Sequence, residues 1–171
     1  MSGASRRASA TTRDRPDPIT EVLIRSGTDR GDATIAALCR NKAKAVHTGS
    51  CLCGAVRFEV SGALHPPDAC HCTQCRKQSG HYWASTDVRR SDVTIHGGDA
   101  VTWFQSSEKV RRGFCSRCGS ALFWDALQRD KIAIGMGAFD QPTGVKLGLH
   151  IFVADKGDYY EIADGLPQNA R

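Results

Sequence analysis

Seven of the eight cysteines lie in three tight clusters whose spacing suits metal binding. They form a C-x-C pair, a C-x-C-x-x-C triplet and a C-x-x-C pair: Cys51 and Cys53; Cys70, Cys72 and Cys75; Cys115 and Cys118. Zinc binds four thiolates in a tetrahedron, at about 2.3 Å from each sulfur. Two pairs supply four ligands and close a site, whereas the triplet supplies three and leaves one coordination position open. The clusters therefore predict two zinc ions per chain, one structural and one with room for chemistry.

Clustered cysteines also occur in disulfide frameworks, redox-active C-x-x-C motifs and iron–sulfur sites. Disulfide frameworks are typical of small secreted proteins, but residues 1–32 contain no apolar run that would form a signal peptide. The C-x-x-C pair is not set in a strand–helix–strand pattern, as a redox motif usually is. Gly54 and Gly119 directly follow the two pairs, where glycine allows a tight turn that points N–H groups at sulfur. Zinc is therefore favoured, in a protein that we expect in the cytoplasm.

The charge of a three-thiolate site discriminates between two kinds of reaction. Zinc bound to three thiolates carries a net negative charge and is a poorer Lewis acid than zinc bound to three neutral histidines. Hydrolysis by zinc-bound hydroxide is therefore disfavoured. Soft sulfur ligands suit an incoming thiol as the fourth ligand. The hypothesis is that a substrate thiolate occupies the open position beside the triplet and attacks a small aldehyde held next to it.

Charged residues flank the clusters in sequence. Arg76 and Lys77 follow the triplet, and Arg111 and Arg112 precede the second pair, where they could neutralise thiolates or bind the carboxylates of a peptide thiol. His71 lies between two ligands and should point away from the metal in an extended segment. The sequence shows no obvious general acid or base beside the triplet. The lone histidines His81, His96 and His150 are interpreted as packed or surface groups. The large aromatic residues are interpreted first as core, although any of them could also line a pocket: Trp83, Trp103, Phe104 and Trp124.

The segments that position these clusters have the pattern of short strands. Alternating hydrophobicity between Gly- and Asp-containing turns predicts strands over 55–60, 82–88, 92–96, 101–105, 109–114, 121–124, 131–136 and 149–153. A helical turn is predicted over 72–78. The fold class is therefore mainly β, with Cys51 and Cys53 before the first strand, Cys115 and Cys118 between two later strands, and the triplet on a loop. A metal that joins the two pairs would contribute directly to folding stability.

The N-terminal part of the chain differs in composition, and the sequence predicts an extension over 1–46 and a domain over 47–171. Residues 1–32 are predicted to be disordered, and 33–45 to form a short helix with Asp32 as its N-cap. Residues 1–47 contain nine basic and five acidic residues, so most of the net charge of +5 lies there. The cysteine-bearing part therefore lacks the basic balance of a nucleic-acid binder. Cys39 is interpreted as a bystander thiol.

Two further properties bear on partners. No apolar run approaches about 18 residues, so we expect no membrane span. The oligomeric state cannot be predicted from the sequence, and a homo-oligomer stays open.

Four segments resemble the glutathione-dependent formaldehyde-activating enzyme family, which includes centromere protein V. They are Gly49-Ser-Cys-Leu-Cys-Gly-Ala-Val-Arg-Phe58, Cys70-His-Cys-Thr-Gln-Cys-Arg-Lys77, Phe114-Cys-Ser-Arg-Cys-Gly-Ser120, and the tail His150-Ile-Phe-Val-Ala-Asp-Lys156 with Asp164-Gly-Leu-Pro167. The resemblance covers residues 47–167. One departure lies near Tyr159 and Tyr160, where the family often has a tryptophan.

The resemblance implies a β-tent of stacked antiparallel sheets built around zinc knuckles. It implies a structural zinc on Cys51, Cys53, Cys115 and Cys118, and a second, catalytic zinc on Cys70, Cys72 and Cys75. The implied activity is that of a carbon–sulfur lyase, which joins glutathione and formaldehyde into S-hydroxymethylglutathione. The alternative is a non-catalytic, zinc-stabilised binding module for a protein or nucleic-acid partner.

Overall fold

The computed structural model of the protein describes residues 44–171, and in this part of the chain it is mainly β, as the sequence predicts. The strands are β1 (Val46–Ser50), β2 (Arg57–Ser61), β3 (Asp68–Cys70), β4 (Trp83–Arg89), β5 (Val93–His96), β6 (Val101–Ser107), β7 (Val110–Cys115), β8 (Ala121–Ala126), β9 (Lys131–Gly135) and β10 (Leu149–Ile151). The helix α1 (Thr73–Ser79) lies between β3 and β4. Among the described residues, no helix has the length and apolar character that crossing a membrane requires.

The strands form two sheets. The smaller one has the order β1-β2-β5, and the larger one has the order β10-β3-β4-β9-β8-β7-β6. Neighbouring strands are antiparallel except β10 and β3, which run parallel. The expected antiparallel sheets are therefore present, with one parallel pair at the edge where the triplet begins.

The hydrophobic core joins the two sheets. Phe58 of β2 packs edge-on against Phe123 of β8 and against Phe139, with ring centroids 6.0 Å and 5.1 Å apart. Because alternate residues of a strand point to opposite faces, the buried Val88 of β4 and Ile132 of β9, paired in register, lie on the core face. The other face of the large sheet is left free to line a cavity.

The predicted strands from 55 onward correspond to β2 and to β4 through β10, with ends shifted by at most two residues. The prediction missed β1 and β3, because β1 shows no clear alternation and β3 has only three residues. Cys51 and Cys53 therefore do not precede the first strand but lie between β1 and β2. The helical turn predicted over 72–78 is α1, one residue later.

Most of the N-terminal predictions fall outside the described residues. These are the disorder of 1–32, the Asp32 N-cap, the bystander role of Cys39 and the helix over 33–45, except for the last two positions of that helix. Those two positions are not helical. The division of the chain at residue 46 stays a prediction.

A buried carboxylate ties β8 to its surroundings. Asp125 is 0% exposed and accepts hydrogen bonds from Arg111 Nε at 2.7 Å and from the Arg90 guanidinium. Burial alone would raise the pKa of Asp125, but the two arginines outweigh that effect and hold this pKa below its ordinary value. The ion pair is therefore a stabilising contact that depends on the carboxylate staying charged.

We expect Asp125→Asn to lower the free energy of unfolding at neutral pH by about 2–3 kcal/mol, because two arginines lose their counter-charge. The folded-state pKa lies below the unfolded value of about 3.9. The stabilisation is therefore complete above that value and disappears as the pH falls through the folded pKa. Urea unfolding of both proteins from pH 7 downward should show the difference shrinking below about pH 4. The exposed Asp130→Asn is the control, and an Asp125→Asn protein as stable as wild type at pH 7 would contradict this role.

Candidate metal centres

The two cysteine pairs meet between the sheets. Cys51 and Cys53 follow β1, Cys115 ends β7, and Cys118 lies in the turn before β8. All four sulfur atoms lie within 4.8 Å of one another, with 3.6 Å from Cys51 to Cys53 and 3.7 Å from Cys53 to Cys115. A tetrahedron with metal–sulfur bonds of about 2.3 Å has edges of about 3.8 Å. The four cysteines can therefore hold one metal ion, and zinc fits their geometry.

Glycines close the two turns that carry these cysteines. Gly54 and Gly119 both adopt left-handed backbone conformations, with φ of 73° and 77°. Their N–H groups donate to the carbonyl oxygens of Cys51 and Cys115, at 3.0 Å and 2.9 Å. Glycine enters this region without the steric cost of a Cβ atom, so both tight turns expected from the sequence are formed.

The triplet forms a second cluster at the junction of β3 and α1. Cys70 ends β3, Cys72 is the N-cap of α1, and Cys75 lies in the first turn of the helix. Their sulfur atoms also lie within 4.8 Å of one another. The expectation of a loop was wrong, because β3 pairs with β10 on one side and β4 on the other. The triplet is thus held by a sheet and a helix, and it offers three thiolates to a metal ion.

Arg112 places a positive charge on the triplet. It is only 5% exposed, and its two terminal nitrogens lie 3.6 Å and 3.7 Å from Cys75 Sγ. The side-chain oxygens of Gln78 and Gln74 accept from the same two nitrogens, each at 3.1 Å, and hold the guanidinium in place. A hydrogen bond from Cys70 and the charge of Arg112 lower the pKa of Cys75 to about 6. Both effects favour the thiolate form of Cys75, which is the form that binds a metal ion.

A cavity of about 500 Å³ opens beside the triplet. It lies on the free face of the large sheet and runs across β10, β3, β4, β9, β8 and β7. The residues that line it include Asp68, Cys70, Cys72, Cys75, Trp83, Ser85, Asp87, Val110, Arg112, Trp124, Arg129, Ala133, Ile151 and Phe152. The three cysteines thus face a space large enough for a small-molecule ligand, whereas none of the four paired cysteines lines it.

Two carboxyl groups on the cavity were missed by the sequence analysis. Asp68 lies on the same face of β3 as Cys70 and pairs with Ser85 of β4. Asp87 lies two residues after Ser85, on the same face of β4, and both carboxyl groups line the cavity. Burial, and secondarily the charge of Asp87, raise the pKa of the Asp68 carboxyl. The sequence showed no obvious general acid or base beside the triplet, and the structure adds Asp68 and Asp87 as carboxyl groups on the same cavity. Asp68 precedes Cys70 by two residues, a spacing that places both side chains on one face of a strand. The sequence could not reveal this, because β3 was not predicted to be a strand.

A second polar network lies behind the triplet, away from the cavity lining. His71 points away from the cluster, as expected, and its Nδ1 is hydrogen-bonded to the Tyr160 hydroxyl. Its Nε2 lies 2.8 Å from His150 Nδ1, and His150 Nε2 lies 2.8 Å from Asp164 Oδ2. One set of neutral tautomers satisfies every contact, with Tyr160 donating to His71, His71 to His150 and His150 to Asp164. His150 is buried, in agreement with its interpretation as a packed or surface group, and through His71 it also links the C-terminal segment to the triplet.

The remaining predicted residues have varied positions. His81 packs against Tyr160 with ring centroids 4.2 Å apart, and His96 is exposed near Glu59. Trp103 stacks on Phe123, and Arg111 lies 4.2 Å above its ring. Of the aromatic residues interpreted first as core, Phe104 is 60% exposed, whereas Trp83 and Trp124 line the cavity, which was the alternative left open for them. Arg76 and Lys77 lie in the last turn of α1.

Comparison with known proteins finds a matching family and similar proteins. The profile of the family described as glutathione-dependent formaldehyde-activating enzyme matches residues 46–155. A Halomonas elongata protein named "putative glutathione-dependent formaldehyde-activating enzyme" is 37% identical over 127 residues, which cover 67% of this chain and 79% of that protein. An "uncharacterized lyase" of Schizosaccharomyces pombe is 24% identical over 123 residues, or 69% of this chain and 86% of its own length.

A crystal structure of a Rhodobacter sphaeroides protein is similar with a TM-score of 0.49 at 22% identity, over 57% of this chain and 91% of that one. The family profile covers well over half of the chain and includes all seven clustered cysteines. The chain belongs to the glutathione-dependent formaldehyde-activating enzyme family.

Proposed function

We propose that the protein is a zinc-dependent carbon–sulfur lyase that forms or cleaves the adduct of a thiol, such as glutathione, and a small aldehyde, such as formaldehyde. In the forming direction the thiolate sulfur bonds to the carbonyl carbon, and the carbonyl oxygen takes up one proton to become a hydroxyl group. The reverse reaction breaks the same carbon–sulfur bond. The observation that carries this proposal is the opening of the cysteine triplet onto the cavity, because a purely structural zinc normally has four protein ligands.

The two clusters would hold two zinc ions with different tasks. Cys51, Cys53, Cys115 and Cys118 form the closed, structural site, and Cys70, Cys72 and Cys75 form the open, catalytic one. Zinc at the triplet would supply a fourth position for the substrate sulfur and keep that sulfur ionised near neutral pH. A cytoplasmic location suits this chemistry, since thiols stay reduced there.

Residues of this chain complete the site. Arg112 offsets the negative charge of the three thiolates through its contact with Cys75. The cavity beside the triplet would bring thiol and aldehyde together, which favours an addition between two small molecules. Asp68, on the same strand face as Cys70, offers a carboxyl group that can hydrogen-bond to the hydroxyl group of the adduct.

We expect Arg112→Met to weaken metal binding at the triplet by about 10–100-fold, the usual effect of removing a group that supports metal ligands. Metal at the four-cysteine site should stay bound, because Arg112 makes no contact there. Competition with a chromophoric chelator measures both affinities. Arg129→Met is the matched control, since Arg129 lines the same cavity but has no hydrogen bond to a cysteine among the described contacts. Unchanged affinity of the exchangeable metal in Arg112→Met would contradict this role.

The proposed activity is tested by exchange NMR with ¹³C-formaldehyde and glutathione, because adduct formation also occurs without an enzyme. The zinc-loaded protein should accelerate exchange between free formaldehyde and the adduct in proportion to enzyme concentration. Removal of the exchangeable metal by a mild chelator should abolish the acceleration, and added zinc should restore it. Exchange at the uncatalysed rate with every thiol and aldehyde tried would refute the proposal.

A further inference from the structure

Strand register divides the cavity beside the triplet into an apolar row and a polar row. Cys70 of β3 pairs with Ile151 of β10 on one side and with Trp83 of β4 on the other. In an antiparallel pair such as β3 and β4, directly opposed side chains lie about 4.5–5.5 Å apart at Cβ, and Ile151 lines the same cavity from the parallel neighbour β10. The ligand Cys70 is therefore flanked on both sides by large apolar side chains. In the next row, two residues away on the same face, Asp68 pairs with Ser85 and supplies polar groups.

Phe152 extends the apolar row in an unusual way. It directly follows Ile151, lines the cavity and is 38% exposed. Its backbone is left-handed, with φ of 57° and ψ of 39°, and it is the one non-glycine residue with positive φ in residues 44–171. Bulky residues rarely adopt this conformation, which is easiest for glycine. The phenyl ring of Phe152 is thus placed at the cavity by a backbone conformation that phenylalanine does not favour.

Backbone hydrogen bonds on both sides hold this conformation. Ile151 O accepts from His71 N at 2.9 Å, and Val153 N donates to Asn169 O at 3.1 Å. Phe152 O accepts from Asp155 N at 3.1 Å. The ring itself is not part of the buried core, so core packing does not account for it. Strain that the surroundings maintain at a cavity is a reason to look for a role in ligand binding.

The apolar row does not match the substrates suggested by the family description. Formaldehyde has only one carbon and one oxygen and needs no apolar wall. Glutathione carries two carboxylates and an ammonium group, which would find polar partners at Asp68, Ser85, Asp87 and Arg129 rather than along Ile151, Phe152 and Trp83. What fits the apolar row is a hydrocarbon group attached to the carbon that bonds to sulfur.

We propose that Phe152, with Ile151 and Trp83, determines specificity for an apolar substituent on the aldehyde carbon. The preferred substrate class is then the adduct of a thiol with an alkyl or aryl aldehyde larger than formaldehyde. This inference rests on the proposed function. The bonds that change are the same as in the reaction with formaldehyde. The sulfur–carbon bond forms, the carbonyl oxygen gains one proton, and the substituent on carbon is unchanged.

Binding of two stable thioethers to the full-length, zinc-loaded protein tests the inference. S-benzylglutathione imitates an adduct with an aryl aldehyde, and S-methylglutathione imitates the adduct with formaldehyde. Quenching of indole fluorescence reports binding, because Trp83 and Trp124 line the cavity. We expect the benzyl compound to bind at least about tenfold more tightly, the usual scale for filling an apolar pocket.

Variants of Phe152 test whether its ring causes the preference for S-benzylglutathione. Phe152→Ala should bring the two affinities within about threefold of each other, mainly by weakening S-benzylglutathione. Phe152→Gly removes the same ring and relieves the left-handed backbone, so it serves as the second variant should the alanine protein prove unstable. Phe104→Ala is the matched control, because Phe104 is also an exposed phenylalanine but lies outside this cavity. The Phe104→Ala protein should prefer S-benzylglutathione over S-methylglutathione to the same extent as wild type.

Exchange NMR with formaldehyde and benzaldehyde separates the possible failures. Faster turnover of the benzaldehyde adduct in wild type, lost in Phe152→Ala, supports the inference. Catalysis with formaldehyde, with no preference for larger aldehydes or thioethers and no effect of Phe152, overturns the inference and leaves the proposed function standing. If the protein catalyses exchange with neither formaldehyde nor benzaldehyde, the proposed function and the inference are both overturned.

Discussion

Cys115→Ser should not fold to the native structure under conditions in which the wild-type protein is stable. Cys115 is fully buried at the end of β7, and its sulfur lies 3.7 Å from that of Cys53, which follows the first strand of the other sheet. Structural zinc has an apparent binding free energy of about 10–16 kcal/mol in zinc-finger peptides. That is comparable with the whole stability of a domain, about 5–15 kcal/mol. If the proposed structural zinc is bound here, loss of one of its four ligands should remove a contribution as large as the stability of the whole domain.

Near-ultraviolet circular dichroism and the metal content of the purified protein measure this effect. We expect Cys115→Ser to lose its aromatic signal and the tightly bound metal, and to aggregate on heating at a lower temperature than wild type. A soluble Cys115→Ser protein with the wild-type spectrum and thermal midpoint would show that the four-cysteine cluster is not a structural metal site.

Cys72→Ser should give the opposite combination, a folded protein that has lost its activity. Cys72 is the N-cap of α1, and its side chain accepts a hydrogen bond from Cys75 N at 3.4 Å. Serine is among the best N-cap residues, so the helix should keep its start and the free energy of unfolding should stay within about 1 kcal/mol. The triplet retains only two thiolates, however, and loses its exchangeable metal. We expect the catalysed exchange rate to fall at least about 10³-fold, since losing a single stabilising group already costs about 10²–10³.

Three measurements on Cys72→Ser should agree: a wild-type far-ultraviolet spectrum, one metal ion fewer per chain, and exchange at the uncatalysed rate. Thr73→Ala, at the exposed next residue, is the control and should keep both metal and activity. An unstable Cys72→Ser protein would favour the alternative of a binding module in which both metals only support the fold. Full activity without the exchangeable metal would exclude catalysis at the triplet.

Local spacing was enough to predict the cysteine clusters, the turns that carry them and most of the strands. The C-x-C, C-x-x-C and following glycines describe single turns, and Gly54 and Gly119 have the left-handed conformations that such turns need. Alternation likewise located β2 and β4 through β10, because each of these strands lies beside recognisable turn residues. The meeting of Cys53 and Cys115, 62 positions apart, followed from the ligand count of four rather than from any local pattern.

The parts that could not be predicted depend on contacts between distant segments. β3 has three residues and acquires strand geometry by pairing with β10 and β4, so the cavity position of Asp68 was not visible in the sequence. His150 meets His71 across 79 positions, through a parallel strand pair that no periodicity indicates. The left-handed backbone of Phe152 is likewise imposed by neighbouring hydrogen bonds, because phenylalanine has no local preference for it.

Elemental analysis of zinc per chain tests the central claim most directly. The full-length protein should contain two zinc ions after exhaustive dialysis and one after incubation with a mild chelator, with the native fold retained. Loss of the second ion in Cys72→Ser, but not in Thr73→Ala, would assign the exchangeable ion to the triplet. A wild-type protein that binds a single, tightly held zinc, with no second ion even when zinc is added in excess, would contradict the open metal site and with it the proposed lyase chemistry.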